Sequence, residues 1–134
     1  KALLGDSLFG APSYFASEAM AKRGEDIYFY HFNQKPSGKA GEILGAFHAY
    51  EIGYVFGATK GSSTGLGPVE NEELSNVMIS YWTNFSKTGN PNSDNLSLWE
   101  TMEAGQECWH LLGPKIAKER ISRMEIYNLL KENF

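Results

Sequence analysis

The sequence has little cysteine, no run of basic residues and no long apolar stretch, and each shortage excludes a class of protein. Cys108 is the only cysteine, so the chain cannot close an internal disulfide or build a cysteine-rich zinc site. A net charge of -4 without a basic run argues against nucleic-acid binding. No apolar run approaches the roughly 18 residues that a membrane span needs. The lone cysteine fits a reducing, cytoplasmic compartment, and we expect Cys108 to be a small, half-buried hydrophobic residue.

What is present is the composition of a globular protein. Hydrophobic residues make up 42% of the 134 positions, which is enough to form a core, and the length predicts one domain over residues 1–134. Apolar residues at helical spacing predict three helices. The first lies between Pro12 and Gly24, the clearest runs from Glu70 to Lys87, and the last covers Lys118 to Lys131.

Strand signals are fewer than helix signals. Residues 27–32 are nearly all aromatic or β-branched, which predicts a strand buried on both faces. Residues 33–45 are rich in glycine and proline and predict a loop. Residues 107–112 predict an edge strand that Gly113 and Pro114 end. A strand that is apolar on both faces needs more neighbours than this chain offers, so the chain is predicted to be part of a larger α/β protein with an incomplete sheet.

Three histidines are the first candidates for chemistry. His48 lies between two glycines in an aromatic stretch that follows a predicted strand and loop, and its imidazole titrates near neutrality, as a general base requires. A structural role was the simpler interpretation from chemistry alone. His31 is predicted to be a hydrogen-bonded core residue, and His110 to be half exposed. Their dispersion argues against a metal site.

Several motifs resemble one enzyme family. Gly45 to Gly57 reads G-A-F-H-A-Y-E-I-G-Y-V-F-G and resembles the catalytic-histidine segment of type B carboxylesterases. The His-Ala pair is similar to the bacterial para-nitrobenzyl esterase branch, whereas cholinesterases usually have His-Gly; Gly53 departs from a proline common in that branch. Further resemblance covers nearly the whole chain and lies in G-D-x-x-F-x-x-P (Gly5 to Pro12), Y-x-Y-x-F (Tyr28 to Phe32), Y-W-T-N-F-S-K-T-G-N-P-N (Tyr81 to Asn92) and Trp99.

The resemblance implies a fold and an activity. It implies the C-terminal part of an α/β-hydrolase fold, with few strands flanked by about three helices, from a serine enzyme that hydrolyses carboxylic esters without a cofactor. It implies that His48 is the catalytic base. The nucleophile and the triad acid would then come from an N-terminal remainder of the same protein, so the chain alone is predicted to be inactive.

Two other residues and one other function fit parts of the sequence. Ser63 stands in a G-x-S-x-G pattern, but no strand precedes it and it follows the histidine, contrary to the order of an α/β-hydrolase triad. Glu51, three residues after His48, is predicted to be a structural partner rather than the triad acid. The alternative function is a non-catalytic interaction module of the cholinesterase-like fold. An exposed sheet edge would also favour self-association.

Overall fold

Helices form most of the regular structure, and three short strands form one sheet. The computed structural model describes residues 2–58 and 69–132. The elements are α1 (Ala2–Gly5), a π-helical turn (Asp6–Gly10), α2 (Ala11–Ala21), β1 (Tyr30–Phe32), α3 (Gly38–Leu44), α4 (Tyr50–Val55), α5 (Glu72–Thr88), β2 (Cys108–Leu112), β3 (Ile116–Arg120) and α6 (Met124–Glu132). No helix in that part of the chain reaches the length and hydropathy of a bilayer span.

The chain divides into two compact units. The first comprises Lys1–Tyr30, Glu100–His110 and Lys118–Phe134, and the second comprises His31–Trp99 and Leu111–Ala117. The first unit has its own apolar core, whose buried members come from α2, α6 and the segments beside the sheet: Ala11, Tyr14, Met102, Ile121, Met124 and Tyr127. The second unit contains α3, α4 and α5, and the candidate histidine lies between α3 and α4.

The helix predicted between Pro12 and Gly24 is confirmed as α2. Pro12 lies in its first turn, where a missing N–H costs nothing, and Gly24 adopts a left-handed conformation with φ of 85° just after its end. The sequence did not indicate that α1 and the π-helical turn lead directly into α2. We attribute this to their exposed leucines, which leave no one-sided apolar pattern to detect.

The helix predicted from Glu70 to Lys87 is confirmed as α5. Asn71 is its N-cap, because its side-chain oxygen accepts a hydrogen bond of 3.0 Å from the Leu74 N–H. Gly89 ends it in the left-handed conformation, with φ of 76°. The predicted apolar stripe is buried at Leu74, Met78 and Tyr81, whereas Phe85 at its end is 48% exposed.

The helix predicted over Lys118 to Lys131 was placed too early. Residues up to Arg120 belong to β3, and the helix α6 begins only at Met124. Lys118, Glu119 and Arg120 are good helix formers, so local preference favoured a helix there. Pairing with β2 outweighs that preference, because β-strand formation depends mainly on the neighbouring strand.

The sheet has the order β1-β2-β3, so β2 is its middle strand. The prediction of an edge strand over residues 107–112 was therefore wrong. A three-residue turn that contains Gly113 and Pro114 joins β2 and β3. At the opposite end of the two strands, the Ile121 N–H donates to the Glu107 C=O at 2.8 Å, as in an antiparallel hairpin. The strand end predicted at Gly113 and Pro114 is thus a tight hairpin turn.

β1 and β2 run parallel. The His110 N–H donates to the Phe29 C=O at 2.9 Å. Four residues further along the first strand segment and two further along β2, the Asn33 N–H donates to the Leu112 C=O, also at 2.9 Å. Pairing partners that advance together along both strands define a parallel ladder. A parallel pair joined by a long helical connection is the arrangement expected of an α/β protein.

The strand predicted over residues 27–32 is shorter and less buried than expected. Only Tyr30–Phe32 forms β1, and its burial pattern is intermediate, exposed, intermediate. His31 is the exposed residue, so the prediction of a core histidine was wrong. Within the described residues β1 is an edge strand, with a strand neighbour on one side only.

The loop predicted over residues 33–45 contains the short helix α3. Gly41 in α3 is buried and lies close to the Pro36 backbone, so that an added Cβ would be 1.8 Å from the Pro36 carbonyl oxygen. Glycine weakens a helix by its own preference, which is why the sequence indicated a loop. Here the missing side chain permits the close approach of the Pro36 backbone.

Candidate active site

His48 is exposed on a tight turn between α3 and α4. The turn is shaped by two residues with positive φ: Gly45, at 68°, ends α3, and Ala49, at 69°, precedes α4. The Tyr50 N–H donates to the Phe47 C=O at 3.2 Å across the turn. The backbone at His48 therefore has a defined, sharply bent path, and its imidazole faces outward from the unit.

Aromatic rings support the turn from within the second unit. Phe47 and Tyr50 have ring centroids 4.8 Å apart, and Tyr50 and Tyr54 meet edge to face at 5.5 Å. Phe32 of β1 packs against Tyr54 at 5.3 Å. Tyr50 is 5% and Tyr54 1% exposed. Burial, with the neighbouring Tyr54, raises the pKa of the Tyr50 hydroxyl well above its usual range, so this ring stays neutral.

Helix α4 is anchored to α5 by a buried polar contact. The Ser75 hydroxyl donates to the Tyr54 C=O at 2.7 Å, and Ser75 is 4% exposed. A buried backbone carbonyl near a helix C-terminus needs such a partner, because the helix itself supplies none. The predicted apolar stripe of α5 did not include Ser75, and no sequence pattern marks this bond.

Of the two other triad candidates, only Glu51 is among the residues that the structure describes. Glu51 lies half-buried in the first turn of α4, close in sequence to His48. Ser63 lies outside the residues that the structure describes. Over residues 2–58 and 69–132, no three His, Cys, Asp or Glu side chains are grouped as a metal site would require. What the described site offers is one exposed imidazole on a well-defined turn, which suits proton transfer to a group supplied from outside it.

His110 is a second histidine with a distinct environment. It is 4% exposed in β2, so the prediction of a half-exposed residue was wrong. Its strand lies in the middle of the sheet, and burial lowers the pKa of its imidazole to about 4. It lines a cavity of about 20 Å³ in the first unit together with Cys108 and the Glu100–Lys118 ion pair. Such a cavity holds roughly one water molecule, which is too small for a substrate.

Cys108 is half-buried, as predicted. It lies in β2 and lines the same small cavity as His110. Its position in the sheet agrees with the structural role expected from the sequence.

The motif from Tyr81 to Asn92 fastens the end of α5 to Trp99. The Asn92 side chain accepts from the Trp99 N–H at 2.7 Å and donates to its C=O at 2.9 Å. The Tyr81 hydroxyl donates to the Ser97 C=O at 2.6 Å, and its ring meets Trp99 edge to face at 5.2 Å. Trp99 is 4% exposed, so its prediction as an anchor is confirmed. These residues build the scaffold of the second unit.

The motif from Gly5 to Pro12 also has a structural basis. Asp6, in the π-helical turn, forms an ion pair of 2.6 Å with Arg123, just before α6. Gly10 lies so close to Tyr127 of α6 that an added Cβ would be 2.4 Å from the tyrosine hydroxyl. The motif therefore sets how the first helices pack within the first unit.

The sequence matches a family model described as "Carboxylesterase family" over residues 1–128. It is 34% identical over 134 residues to a fatty acyl-CoA hydrolase precursor, medium chain, of Anas platyrhynchos, covering 96% of this chain and 24% of that protein. It is 33% identical over 131 residues to carboxylesterase 5A of Homo sapiens, and the match covers 89% of this chain and 23% of that protein. It is 37% identical over 93 residues to acetylcholinesterase 1 of Caenorhabditis elegans, and the match covers 69% of this chain and 15% of that protein. The chain thus spans a quarter or less of the length of these relatives.

Proposed function

Because this chain belongs to the carboxylesterase family, we propose that it forms the part of a carboxylic ester hydrolase that supplies the catalytic base, His48. The observation that carries the proposal is the exposed imidazole of His48 on a bent turn, inside the motif that resembles the catalytic-histidine segment of the family. The family is one of ester-hydrolysing enzymes, so the substrate we propose is a small carboxylic ester.

In the proposed mechanism His48 moves one proton in each half of the reaction. It takes the proton of a serine hydroxyl while the serine oxygen attacks the ester carbonyl, and it then gives that proton to the departing alcohol as the acyl-enzyme forms. In the second half it takes a proton from water, whose oxygen attacks the acyl carbonyl. It then returns the proton to the serine as the carboxylic acid leaves.

We propose that the serine, the orienting acid and the oxyanion donors come from an N-terminal remainder of the same protein. The triad of an α/β-hydrolase follows the order serine, acid, histidine, so both partners of His48 precede it along the chain. Glu51 follows His48 and lies within α4, where we propose a structural role for it. The resemblance of the His48–Ala49 pair to the bacterial branch remains a prediction, since the three relatives named above are animal proteins.

Exposed apolar side chains near His48 favour contact with such a remainder. Ile43 and Leu44 of α3 are 63% and 52% exposed, and Phe56, directly after α4, is 78% exposed. Exposed apolar side chains of this size are often covered by a partner. The same side chains favour the alternative role as an interaction module, in which the chain would associate through them without catalysis.

Hydrolysis of p-nitrophenyl acetate tests the proposal. In the complete gene product, His48→Ala should lower kcat by at least about 10⁴-fold, because the serine loses its base. His31→Ala, at another exposed histidine, is the matched control and should retain activity. Residues 1–134 alone should show negligible turnover, no more than an isolated imidazole gives.

Two outcomes would contradict the proposal. Full activity of the His48→Ala gene product would remove His48 from the mechanism. Robust turnover by residues 1–134, abolished by His48→Ala, would mean that no remainder is needed. Light scattering on the same purified chain distinguishes the alternative: a stable oligomer together with an inactive gene product would favour the interaction module.

A further inference from the structure

Two residues at the start of α5, one just ahead of the helix and one within it, contact the chain on both sides of the His48 turn. After the turn, Ser75 of α5 donates to the Tyr54 C=O of α4. Before the turn, Glu70, two residues ahead of α5, accepts hydrogen bonds from both the N–H and the hydroxyl of Ser37, each at 2.7 Å. The segment from Ser37 to Tyr54, which carries His48, is therefore held at both ends by residues only five positions apart.

The contact at Ser37 replaces a local helix cap. Ser37 is the N-cap residue of α3, yet its side chain makes no capping bond within the helix. In a capping box, a glutamate at the third helical position would reach back to the N-cap N–H, but Ala40 occupies that position. The carboxylate of Glu70 accepts this N–H from 33 residues away in sequence, and its negative charge lies at the favourable end of the helix dipole.

Helix α3 depends on such outside support. It has only seven residues, two of which are glycines, Gly38 and Gly41, and a third glycine, Gly45, ends it. Short helices with glycine are unstable by themselves, because nucleation is costly and glycine gains the most freedom on unfolding. A charge-assisted pair of hydrogen bonds at its N-cap residue therefore limits how far α3, and the turn that follows it, can move.

We propose that Glu70 is a positioning residue for His48, which it acts on through Ser37 and α3. This inference rests on the proposed function of His48. The Ser75–Tyr54 bond holds one flank of the turn, and the Glu70–Ser37 bonds hold the other. A catalytic group must be kept within a fraction of an ångström of its productive place, so releasing one flank should lower the rate of the chemical step.

Steady-state kinetics of the complete gene product test the role of Glu70. Glu70→Ala should lower kcat about tenfold with KM changed less than about twofold, well short of the roughly 100-fold loss that a 1 Å displacement can cause. Glu70→Gln keeps one acceptor oxygen and should recover part of the loss. Ser37→Ala removes the hydroxyl donor and should resemble Glu70→Gln. Glu72→Ala, an exposed carboxylate in the first turn of α5, is the matched control and should match the parent.

Hydrogen–deuterium exchange provides a readout that does not depend on catalysis. In Glu70→Ala, exchange should rise in peptides covering residues 38–54 and stay unchanged in peptides of α2. Unchanged exchange at residues 38–54 together with an unchanged kcat would overturn the positioning role. A general rise in exchange throughout the protein would also overturn it, because Glu70 would then serve overall stability. Should His48→Ala keep full activity, the proposed function fails while the exchange data still decide whether Glu70 holds the turn.

Discussion

Two residues beside His48 have backbone conformations that depend on side-chain size. Gly45 combines φ of 68° with ψ of −156°, a region open essentially only to glycine. Ala49 is the one non-glycine residue with positive φ among the described residues, with φ of 69° and ψ of 2°. A left-handed alanine costs about 1–2 kcal/mol. Glycine, the other residue that the resembling motif has after the histidine, does not carry this cost because it lacks a Cβ.

We expect opposite effects of small substitutions at these two positions. Gly45→Ala should lower the free energy of unfolding by about 1–3 kcal/mol, because alanine is forced into a glycine-only region. Ala49→Gly should raise it by up to about 1 kcal/mol, since relief of the strained φ is partly offset by the freedom of glycine in the unfolded chain. Urea denaturation measures both changes.

Gly5→Ala is the matched control for these variants. Gly5 has an ordinary helical conformation, with φ of −62°, and open space at its Cβ position. Alanine there should be neutral or stabilising by about 0.5–1 kcal/mol. If Gly45→Ala proved as harmless as Gly5→Ala, the turn at His48 would not need its observed backbone path.

At the scale of the element, α5 is the strongest helix and organises its weaker neighbours. It is 17 residues long, with an N-cap at Asn71, a left-handed Gly89 at its end and a buried apolar face. The helices α3 and α4 have seven and six residues, which is too short to be stable alone. Ser75 of α5 and the aromatic residues around Tyr54 support α4, and Glu70, just ahead of α5, caps α3. The geometry at His48 therefore depends on the start of α5.

The N-cap of α5 can be tested separately. Asn71→Ala should lower the free energy of unfolding by about 1 kcal/mol, because the Leu74 N–H loses its side-chain acceptor. Asn76→Ala, an exposed position in the middle of the same helix, should be neutral or slightly stabilising. Equal effects of the two changes in thermal denaturation would mean that Asn71 does not cap the helix.

At the scale of the whole molecule, His110 makes stability depend on pH. Burial lowers the pKa of its imidazole from 6.5 to about 4, so the folded chain holds it neutral. Above pH 6.5 the imidazole is neutral in both states, and its contribution to stability is fully present. Between pH 6.5 and 4 only the unfolded chain takes up the proton, so stability falls as pH falls. Below about pH 4 both states are protonated and the dependence ends.

We therefore expect the free energy of unfolding to decrease between pH 6.5 and 4, with a slope from His110 approaching about 1.4 kcal/mol per pH unit. His110→Gln should reduce the slope in this window, whatever its effect on absolute stability. His31→Gln changes an exposed histidine and serves as the control. Denaturant titrations at several pH values measure the slopes, and equal changes in both variants would rule out a special role for His110.

Much of the architecture could be predicted because its signals are local. The periodic apolar residues of α5 and α2, the Gly89 cap and the Trp99 anchor follow from neighbouring residues in the chain. Position in the sheet could not be predicted in the same way. Whether residues 107–112 lie at an edge or in the middle depends on which distant strands pair with them. The burial of His31 and the exposure of His110 were predicted wrongly for this reason, since both depend on where their strands lie in the sheet.

The sequence by itself determined the family and the candidate histidine, because both rest on residue types in a fixed order along the chain. Only the tertiary structure revealed what surrounds His48: the left-handed Ala49, the aromatic rings beneath the turn, and the contacts of Glu70 with Ser37 and of Ser75 with Tyr54. The physical reason is distance in sequence. Glu70 and Ser75 reach their partners across 33 and 21 residues, and no local pattern records a hydrogen bond of that span.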